Sequence, residues 1–206
     1  MAMALLFGTD LSHNLSWSEH IANLKVKASQ RLGFIKRNLK GSSHPQRKTA
    51  NILLVRSTMG YCGSLWDPVL KKEINMLKSI QNRAVRWITR TYSRDCNIDD
   101  LKEELSLPSL EEMRRQQRLT LIFKVLNSEL NVPPAEVDLL PSGRSGRACQ
   151  GGGNQRLREL GGKDSASPLW RSTTARGVKE WNSLPATILS ADSAGIFSAR
   201  LAKAGP

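Results

Sequence analysis

The sequence predicts an all-α fold, and three observations support that class. The chain has 206 residues, which suits one or two small domains. Apolar residues recur with the helical period in several segments. Capping-type residues, glycine and proline separate those segments. Together these features predict a small helical bundle, then an additional helix, a Gly-rich flexible linker and a weakly structured C-terminal tail.

The first predicted helix follows residue 16. Ser16 and Glu19 have the spacing of a capping box, in which two side chains satisfy free backbone N–H groups. Apolar side chains then fall on a stripe only about 80° wide at 100° per residue. The stripe consists of Ile21, Leu24, Ala28, Leu32, Ile35 and Leu39. Gly41 is expected to end this helix.

Two further helices are predicted to complete the bundle. Pro45 can start the second helix, which should run to about Met59. The broad apolar cluster at residues 52–55 predicts that this helix is the most buried one. Asp67 and Pro68 form a typical N-cap and first helical residue, so the third helix should follow them and end near Thr91. Its apolar stripe lies opposite a basic face.

Positive charge is concentrated in this bundle. The net charge of the chain is +13, and residues 21–94 contain 16 Lys and Arg but only two acidic residues. Such a block favours a nucleic-acid partner, although a solvated surface is the alternative interpretation. The candidate contact residues are Lys72, Lys78, Arg83, Arg86 and Arg90 of the third helix, and Lys25, Arg31, Lys36 and Arg37 of the first.

No catalytic, metal or cofactor site is predicted. Asp99 and Asp100 are adjacent carboxylates, but they stand where a helix should start, so capping is the preferred interpretation. The three histidines lack the spacing of metal ligands. Three cysteines without a Cys-x-x-Cys pair indicate a reducing, intracellular compartment. No apolar run is long enough for a membrane span, so no membrane partner is expected.

The rest of the chain is predicted to divide into three parts. Residues 95–132 form an additional helical segment, with a short acidic helix and a longer one that starts at a capping box of Ser109 and Glu112. Residues 133–170 form a Pro/Gly-rich linker, predicted to be disordered. Residues 171–206 form a short C-terminal helical tail.

Five blocks of residues, in the family's order, resemble the C-terminal thumb and post-thumb region of reverse transcriptases from non-LTR (LINE-type) retrotransposons. These blocks are residues 7–21, 33–39, 54–68, 80–86 and 181–185. The most specific block is YCGSLWDP at 61–68, and WNSLP at 181–185 completes the series. The resemblance implies that residues 1–15 are a remnant of the palm–thumb junction. Residues 16–94 would be the basic thumb-like bundle that grips the template–primer duplex.

The resemblance also implies a function. The parent enzyme would be an RNA-directed DNA polymerase that uses Mg²⁺, and the partner would be RNA, DNA or an RNA–DNA duplex. Neither Tyr61 nor Tyr92 begins the family's catalytic Tyr-x-Asp-Asp motif, so the chain is expected to be a truncated fragment without polymerase activity, in the nucleus or the cytoplasm.

Two alternatives remain open. The first is a helical protein-interaction module that binds a palm or fingers fragment of a polymerase, or a second copy of itself, through apolar surface. The second is the product of a decayed mobile element without selected function. Charge reversal on the basic face should separate the first alternative from nucleic-acid binding, because it would spare apolar association.

Overall fold

The computed structural model describes residues 4–6, 9–11, 17–68, 70–93, 95–134, 139, 156–159 and 173–204. The chain forms two compact units, Met1–Met113 and Arg114–Pro206. The predicted all-α class is confirmed. A short antiparallel hairpin precedes the helices, with β1 (Ala4–Leu6) paired to β2 (Thr9–Leu11) so that Leu5 lies opposite Asp10.

The first unit contains most of the helical residues of the predicted bundle. Its elements are α1 (Ser18–Asn38), α2 (His44–Ala50), a π-helical segment (Asn51–Arg56), α3 (Ser57–Gly60), α4 (Lys71–Thr89) and α5 (Ile98–Glu104). The predicted bundle ended at residue 94, whereas this unit continues to Met113. The extension follows from packing, because Leu101, Leu105 and Leu107 join the same apolar core as α1 and α4.

The apolar stripe predicted for α1 is confirmed at five positions. Ile21, Leu24, Ala28, Leu32 and Ile35 are all buried. Their 3.6-residue spacing places them along one side of the helix, where they pack in the core with residues of α4. The predicted cap does not start this helix, since α1 begins two residues after Ser16, which lies outside the described residues.

Helices α1 and α4 run parallel to each other. Near their amino ends, the Ser18 hydroxyl donates a hydrogen bond to Glu73. Beyond their carboxyl ends, Arg90 Nη2 donates to the Lys40 carbonyl at 3.0 Å. Since like ends meet, residues in the second half of each helix lie close to those of the other.

The YCGSLWDP block forms a structural corner of the first unit. Trp66 is fully buried, and its Nε1 donates to the Tyr61 carbonyl at 2.9 Å. The ring packs edge-on against His20, with the ring centroids 5.2 Å apart. This one tryptophan therefore ties the turn after α3 to the start of α1.

The prediction that the second helix is the most buried is wrong. Leu53 is 65% exposed, and Ile52 and Leu54 are also exposed, whereas Val55 is fully buried. The cause is that these residues are consecutive in a helical segment. At about 100° per residue, four consecutive side chains span about 300° around the axis, and a π-helical turn narrows that span only slightly, so the apolar cluster cannot lie on one face.

The predicted cap of the third helix is also wrong. α4 begins at Lys71 after Leu70, and Asp67 is buried before it rather than capping it. Leu70 is exposed and lies outside the apolar stripe. By contrast, the Ser109 half of the predicted capping box is confirmed, because the Glu112 N–H donates to the Ser109 hydroxyl at 3.0 Å.

The C-terminal segment packs more fully than the sequence predicts. α6 (Leu110–Leu126) contains the boundary of the two units, and α7 (Thr173–Asn182), α8 (Ala186–Leu189) and α9 (Ala194–Ala204) follow. In the second unit, Phe197 stacks on Phe123 and Trp181 with centroid distances of 4.6 and 5.7 Å. These rings form the centre of a second apolar core.

The predicted linker, residues 133–170, lies mostly outside the described residues. Of its described part, Leu139 and Leu157 are buried in the second core. The amide side chain of Asn182 holds Leu157 by both backbone groups, since its Oδ1 accepts from the Leu157 N–H and its Nδ2 donates to the Leu157 carbonyl, each at 2.8 Å. Asn182 of the WNSLP block is therefore a structural residue.

Candidate nucleic-acid interface

Four cations form a row along α4. Lys72, Arg83, Arg86 and Arg90 fall within about 60° of one another around the helix axis at 100° per residue. At a rise of 1.5 Å per residue the row is about 27 Å long. Lys72, Arg83 and Arg90 are exposed, and Arg86 is half-buried. We call these four residues the α4 row.

Two arginines of the α4 row also hold the chain together. Arg90 ends the helix in the left-handed conformation, with φ 59°, and binds the Lys40 carbonyl. Arg86 Nη1 donates to the Ser93 carbonyl at 2.8 Å. Lys72 and Arg83 make no hydrogen bond or ion pair with another residue in the described parts of the chain. These two side chains are the ones most open to an external anion.

Lys78 lies apart from the α4 row, about 120° away around the helix. Its neighbour is the acidic start of α5, where Asp99 accepts a hydrogen bond from Lys102 Nζ at 2.7 Å. This hydrogen bond and the charge of Lys102 lower the pKa of Asp99, and the charge of Lys78 lowers it further. Lys78 therefore lies near a carboxylate, on a different face of α4 from the row.

A second row lies on α1. Lys25 and Lys36 are eleven residues apart, so they share one face of the helix about 16 Å from each other. Lys36 is half-buried, and burial lowers the pKa of its ammonium group, with a second contribution from the charge of Arg83. The two rows are therefore close enough at Lys36 and Arg83 for these charges to interact. We refer to the two together as the α1–α4 rows.

Arg31 and Arg37 lie outside the rows. Arg31 is turned about 140° from Lys36 around the axis of α1. Its Nη1 donates to the Leu54 carbonyl at 3.3 Å and to the Thr58 hydroxyl. Arg37 is exposed beside Gly33. Of the nine predicted contact residues, six belong to the rows, while Lys78, Arg31 and Arg37 lie on other faces.

Two arginines of the basic block are internal. Arg47 is buried and its Nη1 donates to the Trp87 carbonyl at 3.3 Å. Arg56 is buried, its Nη2 donates to the Pro108 carbonyl, and burial lowers its pKa. Their charge contributed to the sequence-based expectation of an anionic partner, yet both side chains serve the fold. No sequence signal distinguished them from the surface cations.

The sequence did not predict a cavity on the other side of α1. Lys27 and Arg31 contribute to one wall, and Ser57 and Tyr61 contribute to the other. The four-residue spacing of Lys27 and Arg31 was a usable signal, because such residues are neighbours on a helix. The opposite wall comes from a segment about 30 residues later, which short-range spacing does not place.

Comparison with known proteins gives no relative: no protein-family model, no curated protein and no solved structure matches the chain. None of the helices in the described ranges combines the length and apolar character required to span a membrane. Within the same ranges, no three His, Cys, Asp or Glu side chains are grouped so that they could hold a metal ion. The α1–α4 rows and the cavity are therefore the features from which function is inferred.

Proposed function

We propose that this chain binds the sugar–phosphate backbone of RNA, DNA or an RNA–DNA duplex through the α1–α4 rows. In this role it would act like the thumb of the LINE-type reverse transcriptases that its sequence resembles. The proposal assigns binding, and no catalytic step, to these residues. The observation that carries it is the α4 row, in which four cations lie within about 60° of one another on one helix and three of them are exposed.

Burial disfavours the charged form of Lys36, and the charge of Arg83 disfavours it further. A phosphate next to them would favour the protonated amine and so offset this cost. Phosphates carry no sequence information, so binding through the rows would be independent of base sequence.

The dimensions of the α4 row suit a nucleic-acid backbone. A double helix carries one negative charge for about every 1.7 Å of its axis, both strands counted, so a stretch as long as the row, about 27 Å, carries roughly sixteen phosphates around its circumference. The four cations of the α4 row therefore have more than enough partners. Lys25 and Lys36 extend the same surface on α1.

The test is binding of the chain to a labelled RNA–DNA duplex over a series of salt concentrations. The wild-type affinity should fall steeply with salt, because each phosphate contact releases counterions. The double variant Lys72→Ala with Arg83→Ala should reduce the log–log slope by about 2, at about 0.9 for each lost contact. The loss of affinity should be the same for duplexes of different sequence.

The matched control removes two exposed cations elsewhere, Arg158→Ala with Lys203→Ala. This control has the same net charge as the double variant but keeps both rows. Its salt slope should equal that of the wild type. The proposal fails if the control loses as much slope as the double variant, or if a wild-type chain with a helical circular-dichroism spectrum does not bind the duplex at low salt.

A helical protein-interaction module remains the second candidate, and one observation favours it. Leu53 is exposed between Ile52 and Leu54, which are also exposed, so three consecutive apolar side chains meet solvent. Exposed apolar patches mark interaction surfaces in soluble proteins. Leu53→Asp should abolish self-association, or binding to a palm or fingers fragment, in sedimentation experiments. It should leave the salt slope of duplex binding unchanged.

A further inference from the structure

A cavity of about 300 Å³ lies between α1 and the turn that follows α3. All of it belongs to the first unit. Its lining residues are His20, Asn23, Leu24, Lys27, Arg31, Ser57, Thr58 and Tyr61. The size is at the lower end for small-molecule sites, about 300–1,000 Å³. The lining contains two cations and several hydroxyl and amide groups, but no carboxylate.

The guanidinium of Arg31 is held in a fixed orientation at this cavity. Its Nη1 binds the Leu54 carbonyl and the Thr58 hydroxyl, which anchors one corner of the planar group. Nε and Nη2 of Arg31 make no hydrogen bond to any of the described residues. Their N–H groups can therefore donate to a ligand. A guanidinium fork with free, oriented donors is suited to a phosphate.

Lys27 places a second cation beside Arg31. It is exposed and stands one helical turn before Arg31, so the two side chains are neighbours on α1. Both are on the far side of the helix from the α1 row, since Lys27 is about 180° from Lys36. The cavity is therefore separate from the α1–α4 rows.

Tyr61 supplies an aromatic surface at the same cavity. Its side chain is 60% exposed. Its backbone is nevertheless fixed, because the Tyr61 carbonyl accepts the hydrogen bond from the buried Trp66 ring. An exposed aromatic ring next to cations is the combination on which nucleic-acid bases stack in single-strand binding sites.

We propose that this cavity binds one nucleotide, with its phosphate on Lys27 and Arg31 and its base stacked on Tyr61. The ligand class is a nucleoside monophosphate, either free or as the terminal nucleotide of a strand. This inference goes beyond the proposed duplex binding, because it uses a different face of α1. Each of the two sites can exist without the other.

The test measures binding of adenosine monophosphate, adenosine and inorganic phosphate to the full chain by calorimetry. The monophosphate should bind more tightly than either part alone. Tyr61→Ala should weaken its binding about tenfold, within the range that base–aromatic stacking supplies. Lys27→Ala should weaken it by a similar factor, and should weaken the binding of inorganic phosphate as well. Both side chains are exposed, so the fold should be retained, which circular dichroism checks.

Two matched controls remove a lysine and a tyrosine that lie outside the cavity. Lys203→Ala removes an exposed lysine of α9, and Tyr92→Ala removes a tyrosine that is 62% exposed. Neither residue lines the cavity, so neither variant should change monophosphate binding. Equal losses in the control and cavity variants would overturn the inference.

Two further results test the nucleotide site. If the monophosphate does not bind, or binds no more tightly than inorganic phosphate and ignores Tyr61→Ala, the nucleotide site is refuted. Lys72→Ala with Arg83→Ala should leave monophosphate binding unchanged while it lowers the salt slope of duplex binding. Failure of the cavity and failure of the α1–α4 rows are therefore separate results.

Discussion

Gly177 provides the sharpest test of the packing between α6 and α7. A Cβ atom at this position would lie 2.6 Å from Ile122 Cδ1, and 3.1 and 3.3 Å from Cγ and Cδ of Arg118. Carbon atoms in good contact are about 3.5–4.0 Å apart, so Gly177→Ala would force an overlap of roughly 1 Å with Ile122.

Both neighbours are buried, so neither can turn out into solvent. Ile122 is buried in the second core. Arg118 is buried and held by two bonds to Glu180, with Nε–Oε2 at 3.1 Å and Nη2–Oε1 at 2.6 Å. Overpacking a core costs about 1–3 kcal/mol, and the better helix propensity of alanine returns about 0.5–1 kcal/mol. The net result should be a loss of about 1 kcal/mol in the free energy of unfolding.

Gly33→Ala is the matched control. Gly33 also lies within a helix, but a Cβ there would meet only the end of the flexible Arg37 side chain, at 3.4 Å. This variant should gain about 0.5–1 kcal/mol from helix propensity. Urea unfolding followed by circular dichroism gives both values. If Gly177→Ala is stabilised as much as Gly33→Ala, the packing of α7 against Ile122 and Arg118 is not as described.

Three further predictions concern stability. Lys36→Met should raise the free energy of unfolding at pH 7 while it weakens duplex binding. The pKa of Lys36 is lowered in the folded state, which means that folding disfavours its ammonium form. The gain in stability should therefore shrink as pH rises toward the ordinary pKa of 10.5, and it should vanish above that pH. Trp66→Ala should cost about 3–5 kcal/mol in urea unfolding, because it removes a fully buried ring. Asp99→Asn should make the melting temperature fall less steeply as the pH is lowered. The lowered pKa of Asp99 stabilises the folded state above pH 3.8, and this contribution is lost as the pH falls through the folded-state pKa.

Helical period predicted the parts of the fold that depend on one helix alone. The α1 stripe from Ile21 to Ile35 is buried as expected, because the spacing that defines a helix face is set within a few residues. The same reasoning located α4 to within two residues of its observed ends. It failed at Leu53, because residues 52–55 are consecutive and therefore point in different directions around the helix axis.

The α1–α4 rows could likewise be predicted only where they depend on one helix alone. The α4 row follows from positions on one helix, so its angles could be worked out from the sequence. The approach of Lys36 to Arg83 depends on how two helices pack, and the burial of Arg47 and Arg56 depends on carbonyls about 40 and 50 residues away. Side-chain contacts of this range leave no periodic trace in a sequence.

The π-helical segment sets the rotational phase between two contacts on either side of it. Before it, Arg47 binds the Trp87 carbonyl of α4; after it, Thr58 accepts the hydrogen bond of Arg31 on α1. A π-helical turn takes up more residues than an α-helical turn does, so loss of one residue between Asn51 and Arg56 would let the segment become α-helical with little change in the rotation of α3 relative to α2. The segment therefore holds one residue more than the two contacts require.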